Sequence, residues 1–114
     1  MLNVSSKALQ YIKFLSFVQA VNFPALDPIE ERLLNYLAAG WYSDKKMTVL
    51  ETMQATPDLS PSTVHRRLKT LRKKGLVTLD VNQIDNRIKY IVHTDLTNRY
   101  FTQLGQCLSQ ALEA

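Results

Sequence analysis

The chain has 114 residues, of which 46% are hydrophobic and 21% are charged, and its net charge is +4. This composition excludes a wholly disordered protein, and no apolar run approaches the roughly 20 residues that a membrane-spanning helix needs. The first residues lack the charged region and cleavage site of a signal peptide, and the single cysteine, Cys107, supports no internal disulfide. We therefore expect a cytoplasmic protein of one small domain.

The first segment, residues 1–22, is predicted to form a helix from Ser5 or Ser6 to about Asn22, because it lacks glycine and proline and begins with a serine cap. Its apolar residues spread around most of the helix circumference, so one face cannot hold them all. A chain this short has little else to cover such a helix. The pattern predicts a dimerisation helix that packs against a second copy of the chain.

The second helix has a strong start signal. Asp27 is a capping residue, Pro28 takes the first helical position, and Glu30 follows the cap by three residues. The apolar residues of this segment, Ile29, Leu33, Leu34 and Leu37, form one stripe. The helix is predicted to end near Gly40 and to lie in the core.

A short strand and a short helix are predicted next. Residues 46–48 can pair briefly as a strand, and Thr48 with Glu51 makes a capping box for a helix over residues 49–54. The residues expected to face inward are Val49, Leu50 and Met53.

The fourth helix, residues 61–74, concentrates the positive charge. Ser60 caps it, Pro61 takes its first turn and Gly75 ends it. Its narrow inner stripe consists of Val64, Leu68 and Leu71. Residues 60–79 carry a net charge of +6 without one acidic residue, whereas the rest of the chain sums to −2. Such a surface predicts a polyanionic partner.

A hairpin and a last helix complete the order. Residues 76–79 are predicted as a strand, residues 80–87 as a polar tip, and residues 88–93 as a second strand. In that second strand Ile88, Tyr90 and Val92 share one face. From Asp95 the helical spacing returns, with an apolar seam that resembles a short heptad pattern and exceeds what one small core can use.

The predicted fold class is mainly α with a small β-hairpin, a winged helix-turn-helix with N- and C-terminal dimerisation helices. Residues 1–114 form a single domain in this prediction. Its winged core covers residues 27–94, and the dimerisation helices are residues 1–22 and 95–114. A basic helix followed at once by a hairpin predicts that the helix lies in the major groove of double-stranded DNA and that the wing, residues 80–89, lies at the minor groove.

Hydrogen-bond donors on the fourth helix and the wing are the candidate DNA-binding residues. Arg66 is expected to reach a guanine or a phosphate, while Arg67 and Lys69 are expected to hold phosphates. Arg87, steadied by Asp85, is expected to enter a minor groove narrowed by an A·T tract. The full candidate set is Ser60, Ser62, Thr63, His65, Arg66, Arg67, Lys69, Thr70, Lys73, Arg87 and Lys89.

The run from Leu59 to Val77, LSPSTVHRRLKTLRKKGLV, resembles the recognition helix and first wing strand of MarR-type bacterial transcription regulators. The wing-tip residues Asp85, Asn86 and Arg87, with the later pair Leu96-Thr97, are similar to that family's wing signature. The resemblance covers roughly residues 27–97 and implies sequence-specific binding to duplex DNA. For a homodimer, two-fold symmetry predicts a roughly palindromic site with half-sites about 10 base pairs apart.

Other interpretations stay open. The same fold serves as a module in replication or plasmid maintenance, or as a protein-interaction module. A small-molecule effector near Tyr36, Trp41 and Tyr42 is a further alternative, and its identity is unknown. Gly-rich phosphate loops, Cys-x-x-Cys pairs and histidine pairs at metal spacing do not occur in the sequence. We therefore predict no catalytic residues, no cofactor, no metal and no membrane partner.

Overall fold

The computed structural model describes residues 5–113, which form five helices and one three-stranded antiparallel sheet. The elements are α1 (Ser6–Gln19), α2 (Pro28–Trp41), β1 (Met47–Thr48), α3 (Val49–Ala55), α4 (Pro61–Lys73), β2 (Val77–Val81), β3 (Lys89–His93) and α5 (Asp95–Glu113). Two compact units divide these elements. The winged unit is residues 24–97, and the terminal unit is residues 5–23 with residues 98–113. The predicted order of elements and the winged helix-turn-helix fold are confirmed.

The core of the winged unit lies between α2, α4 and the sheet. Helix α2 begins with the predicted capping box. The Asp27 carboxylate accepts from the Glu30 N–H at 2.8 Å, and the Glu30 carboxylate accepts from the Asp27 N–H at 2.9 Å. The predicted inner stripes of both helices are buried, apart from the half-buried Ile29. The fully or almost fully buried members are Leu33, Leu34, Leu37, Val64, Leu68 and Leu71.

The sheet has the order β1-β3-β2, so the second wing strand lies in the middle. The predicted hairpin and short first strand are both present, and β2 extends two residues further than expected, to Val81. Ile91 is the buried residue at the centre of the sheet, paired with Met47 on one side and Leu79 on the other. In β3, Tyr90 and Val92 point to one face of the sheet and Ile91 to the other. The core lies on the Ile91 face, where β1 adds the buried Met47.

The end of α2 is joined to the wing. The indole Nε1 of Trp41 donates to the carbonyl of Ile91 at 2.9 Å, and the Trp41 ring contacts that of His93 edge to face, 5.4 Å between centroids. Close by, Gly40 leaves room for Met47, whose Sδ would lie 2.0 Å from a Cβ at this glycine. The strand β1 thus packs directly on the backbone of α2.

One prediction for α3 is wrong. The sequence places Leu50 inside, but this residue is 61% exposed, and the buried residue of the helix is Thr52. The threonine tolerates burial because its hydroxyl donates to the Thr48 carbonyl at 2.8 Å, within its own helix. Thr56 does the same toward the Thr52 carbonyl at 2.9 Å. These bonds turn a polar face of the helix into its inner face.

Helix α4 ends as the sequence predicts. Gly75 has a φ of 79°, its N–H donates to the Arg72 carbonyl, and the Leu76 N–H donates to the Leu71 carbonyl. These two bonds form a Schellman motif. Thr97 then fixes the start of α5 by donating from its hydroxyl to the Leu76 carbonyl.

The terminal unit exposes apolar side chains. Within it, α1 contains no buried residue among the described ones, while α5 buries Cys107 and Ala111. Phe23 contacts the Tyr100 ring edge to face at 5.4 Å. The exposed large apolar residues are Leu9, Tyr11, Ile12, Leu15, Leu108 and Leu112. Among residues 5–113, no helix combines the length and hydropathy required to cross a membrane.

Candidate nucleic-acid interface

The recognition helix α4 begins at a cluster of hydroxyl groups. Ser60 Oγ accepts from the Thr63 N–H at 3.1 Å and lies 2.8 Å from Thr63 Oγ1 and 3.2 Å from Ser62 Oγ. Pro61, at the first helical position, has no N–H to satisfy. The Thr63 and Val64 N–H groups donate to Ser60, so the exposed end of the helix presents hydroxyl groups and the Ser62 N–H, which is a favourable environment for a phosphate.

A continuous polar stripe runs along the outside of α4. Ser62, Arg66, Lys69 and Lys73 follow each other at four, three and four residues, and all four are exposed. Within residues 5–113, ion pairs to carboxylates occupy other cations, so Arg66, Lys69 and Lys73 keep their donors for a ligand. We call these four residues the basic stripe.

Two candidate residues on α4 face α2 instead. Arg67 Nε lies 3.0 Å from a carboxylate oxygen of Asp27, and only 29% of its side chain is exposed. Thr70, half-buried, donates from its hydroxyl to Glu30 at 2.7 Å. Although Thr70 belongs to the candidate DNA-binding set, the Glu30 carboxylate buried beneath α4 draws its hydroxyl inward.

Glu30 is the centre of this contact between the two helices. Its carboxylate is almost completely buried and accepts from Thr70, from the Asp27 N–H and from Lys74 Nζ at 2.7 Å. Lys74 also donates to the Ala25 carbonyl at 2.6 Å. Burial by itself raises the pKa of Glu30. The hydrogen bonds from Asp27, Lys74 and Thr70 lower it by more than burial raises it, so the pKa lies below the usual 4.5. We call Glu30, Thr70 and Lys74 the Glu30 network.

The wing tip is an ordered turn. Asn82 Oδ1 accepts from the N–H groups of Ile84 and Asp85 at 2.8 and 3.0 Å. Asp85 holds Arg87 through two bonds of 3.0 Å, from Nε to Oδ1 and from Nη2 to Oδ2, as the sequence predicts for this pair. The hydrogen bonds from Arg87 keep the pKa of Asp85 below its usual range. The Arg87 side chain nevertheless remains 87% exposed.

A groove brings part of the candidate set together. It has a volume of about 410 Å³ and runs between α3, the start of α4 and the wing. His65 lines it from α4, and Arg87 and Lys89 line it from the wing, with exposed Leu50 on α3. Side chains of α4 and the wing thus border one concave surface, to which α3 adds Glu51.

The sequence does not identify two residues that shape the candidate interface, Glu30 and Ile84. It identifies Glu30 only as part of the capping box, since its partners Thr70 and Lys74 stand 40 and 44 residues away in the chain. Ile84 lies inside a segment that the sequence describes simply as polar, yet its side chain is 99% exposed. The signal in the sequence that could have identified Ile84 is that it is a lone isoleucine in the polar stretch between Asn82 and Asp85.

Comparison with known proteins agrees with this geometry. Residues 26–78 match the family model described as winged helix-turn-helix DNA-binding. A comparison with curated proteins finds no match.

Several solved structures share the fold. A point mutant of MepR from S. aureus, bound to an oligodeoxyribonucleotide, is 18% identical with a TM-score of 0.69, over 91% of this chain and 71% of that one. The heme sensor protein PefR from Streptococcus agalactiae, in complex with heme, is 22% identical with a TM-score of 0.65, over 89% and 67%. A MarR-like transcriptional regulator from Thermotoga maritima is 18% identical with a TM-score of 0.66, over 90% and 70%.

The match over residues 26–78 begins just before the capping box of α2 and ends within β2, so it includes the whole of α4. Residues 26–78 therefore match a winged helix-turn-helix DNA-binding model, and the chain shares the fold of the MarR-like regulator and of the MepR and PefR structures.

Proposed function

We propose that the protein is a sequence-specific transcription regulator that binds duplex DNA with α4 in the major groove and the wing at the minor groove. The basic stripe carries this proposal, because three cations without carboxylate partners among the described residues lie in line on the exposed side of a rigidly packed helix. The MepR structure, which shares the fold, contains an oligodeoxyribonucleotide, the class of ligand proposed here.

Within this proposal the first half of the basic stripe reads bases, and its second half and the cap hold the DNA backbone. Arg66, in the first half of α4, forks onto a guanine or a phosphate, and Ser62 reaches the neighbouring base or backbone. Lys69 and Lys73 neutralise phosphates further along the groove. Ser60, Thr63 and His65 lie near the exposed helix start, where a phosphate meets the backbone donors.

Arg67 and Thr70 take a different role from the one that the sequence predicts. Their contacts with Asp27 and Glu30 tie α4 to α2. We assign them to the positioning of the recognition helix, and they contribute to DNA affinity only through that position.

The wing supplies the second contact. Arg87 is held by Asp85 in an exposed position, and Lys89 follows it at the start of β3. A held arginine loses less conformational entropy on entering a groove than a free one. We propose that Arg87 enters the A·T-rich minor groove beside the major-groove site and that Lys89 contacts its phosphates.

We further propose a cytoplasmic homodimer without a catalytic role. The exposed apolar residues of α1 and α5 support a second copy as the partner of the terminal unit. Two-fold symmetry then gives a roughly palindromic site with half-sites about 10 base pairs apart.

The decisive experiment compares Arg66→Ala with Arg99→Ala in gel shifts at rising salt. Arg99 is an exposed arginine of α5, so both variants remove one surface charge. The operator is first obtained by selection from a random duplex library with the wild-type protein. We expect Arg66→Ala to weaken binding by about tenfold to a hundredfold, the worth of one bidentate base contact, and Arg99→Ala to bind like the wild type.

Equal affinities for these two variants and the wild type would remove α4 from the interface. Absence of any duplex binding at low salt would instead favour a winged helix that contacts another protein.

A further inference from the structure

We propose that Ile84 is an apolar wedge that enters the minor groove of duplex DNA, packs into a flexible pyrimidine–purine step and bends the duplex. This inference rests on the proposed function, since the wing meets the minor groove only when α4 occupies the major groove. The inference adds to the proposed function a side chain, Ile84, that favours DNA sequences which are easily deformed.

The first observation is the exposure of Ile84. Its side chain is 99% exposed, whereas the other exposed large apolar residues of the described chain range from 37% to 71%. Isolated surface apolar residues are common and need no explanation by themselves. Ile84 differs because it is the most exposed of these residues and stands in the loop between β2 and β3 with two polar neighbours, Gln83 and Asp85.

The second observation is that the turn beneath Ile84 is fixed. Asn82 accepts from the Ile84 and Asp85 N–H groups, and its Nδ2 donates to the Tyr90 hydroxyl at 3.2 Å. Its own N–H donates to the Ile88 carbonyl at 2.9 Å. The isoleucine therefore projects from an ordered base, and its β-branched side chain is stiff. Both properties reduce the entropy lost when the residue is inserted.

The third observation is the charge around the tip. Arg87 stands on the same loop, 87% exposed, and Lys89 follows at the start of β3. Asp85, the acid nearest to Ile84 in the chain, is paired with Arg87. The tip is thus an apolar point beside a mutually neutralised Asp85–Arg87 pair, with Lys89 as the neighbouring cation that has no ion pair among the described residues, so it places no unpaired negative charge against the phosphates that border a minor groove.

Minor-groove proteins commonly insert an apolar side chain of this kind between base pairs and kink the duplex. Pyrimidine–purine steps such as TA unstack most easily, whereas A-tracts are stiff. The wedge therefore predicts that the wing selects a TA step over an AA step, within the A·T-rich sequence that Arg87 favours.

The test uses the duplex selected with the wild-type protein, made in two forms that carry TA or AA at the wing-facing step. Each duplex has 2-aminopurine at that step, whose fluorescence rises when the base unstacks. Ile84→Ala and Ile84→Leu are compared with the wild type. Val81→Ala, which removes a 45% exposed residue from the same hairpin, is the matched control, and Arg66→Ala reports on α4.

We expect the wild type, Ile84→Leu and Val81→Ala to raise the fluorescence of the TA duplex and to prefer it over the AA duplex. Ile84→Ala should bind the TA duplex about tenfold more weakly, give no rise and lose the preference. Its thermal midpoint should equal that of the wild type, because the side chain contacts solvent.

Two results overturn the inference. If Ile84→Ala matches the wild type in affinity and fluorescence while Arg66→Ala loses binding, the proposed function stands and the wedge does not. If the wild-type protein selects no duplex, the proposed function and the wedge fail together.

Discussion

Glu30 shows how one buried carboxylate orients a surface helix, α4. Three donors from three directions satisfy it, and two of them, Thr70 and Lys74, belong to the second half of α4 and its cap. A buried charge with these partners is strongly dependent on geometry, since a rotation of α4 would leave it unsatisfied. The Glu30 network therefore fixes the angle at which the basic stripe is presented.

Replacing this carboxylate tests its contribution to stability. Glu30→Gln keeps the shape and an acceptor for the capping box but removes the charge. We expect the free energy of unfolding at pH 7 to fall by about 1 to 3 kcal/mol, measured by urea denaturation. Glu31→Gln, at the next and exposed position, should change it by less than about 0.5 kcal/mol.

The pH dependence of this difference has a defined sign. Because the pKa of Glu30 is lower in the folded protein than its usual 4.5, its contribution is complete above that value. It is lost as the pH falls through the lower folded pKa. The gap between wild type and Glu30→Gln should therefore shrink below about pH 4. A gap that stays constant from about pH 7 to about pH 3 would contradict the assignment.

At the scale of elements, local signals determine where α4 begins and ends. Ser60 and Pro61 start it, and Gly75 ends it in the left-handed conformation that only glycine adopts without strain. These positions are predictable from the sequence for that reason. The face that α3 turns inward is not, because Thr52 satisfies its hydroxyl within the helix and so packs like an apolar residue.

Glycine substitutions separate the conformational requirement from ordinary helix propensity. Gly75→Ala should lower the free energy of unfolding by about 1 to 2 kcal/mol, since its φ is 79° while the nearest atom to a new Cβ, Leu96 Cδ2, is at an ordinary 3.5 Å. Gly105→Ala, inside α5 with nothing within 4 Å of a new Cβ, should raise it by about 0.5 to 1 kcal/mol. Thermal or urea unfolding should show stability changes of opposite sign for the two variants. An unchanged stability for Gly75→Ala would contradict the requirement for a left-handed conformation at this position.

At the scale of the molecule, the terminal unit leaves a large apolar surface exposed. On α1, Leu9, Tyr11, Ile12 and Leu15 are 42% to 61% exposed, and on α5 Leu108 and Leu112 are 50% and 57% exposed. Such a cluster on a small protein is typical of an interface with another subunit. We therefore expect the assembly, and with it the spacing of DNA half-sites, to depend on this unit.

A charge placed on this surface tests the homodimer. Ile12→Glu should convert a dimer into a monomer at micromolar concentration, because the carboxylate would have to be buried in the interface. Sedimentation velocity measures the change. Leu50→Glu alters a residue of comparable exposure, 61% against 53%, in the winged unit and should leave the dimer intact. An unchanged mass for Ile12→Glu would place the interface elsewhere.

The order of elements and the basic helix are accessible from the sequence because caps, breakers and apolar spacing act over a few residues. The orientations of Arg67 and Thr70 are not, since they depend on carboxylates that α2 brings from 40 residues away. The buried face of β3 depends similarly on Met47, which reaches Ile91 only through the folded sheet.

The bond from the Trp41 indole to the Ile91 carbonyl gives the protein a built-in spectroscopic reporter. Trp41 is the sole tryptophan of the chain, and its ring nitrogen is attached to the central strand of the wing while its side also meets His93. A tilt of the wing relative to α2 would lengthen or reorient this bond. Wing movement can therefore be followed label-free in the native protein, through the tryptophan emission maximum.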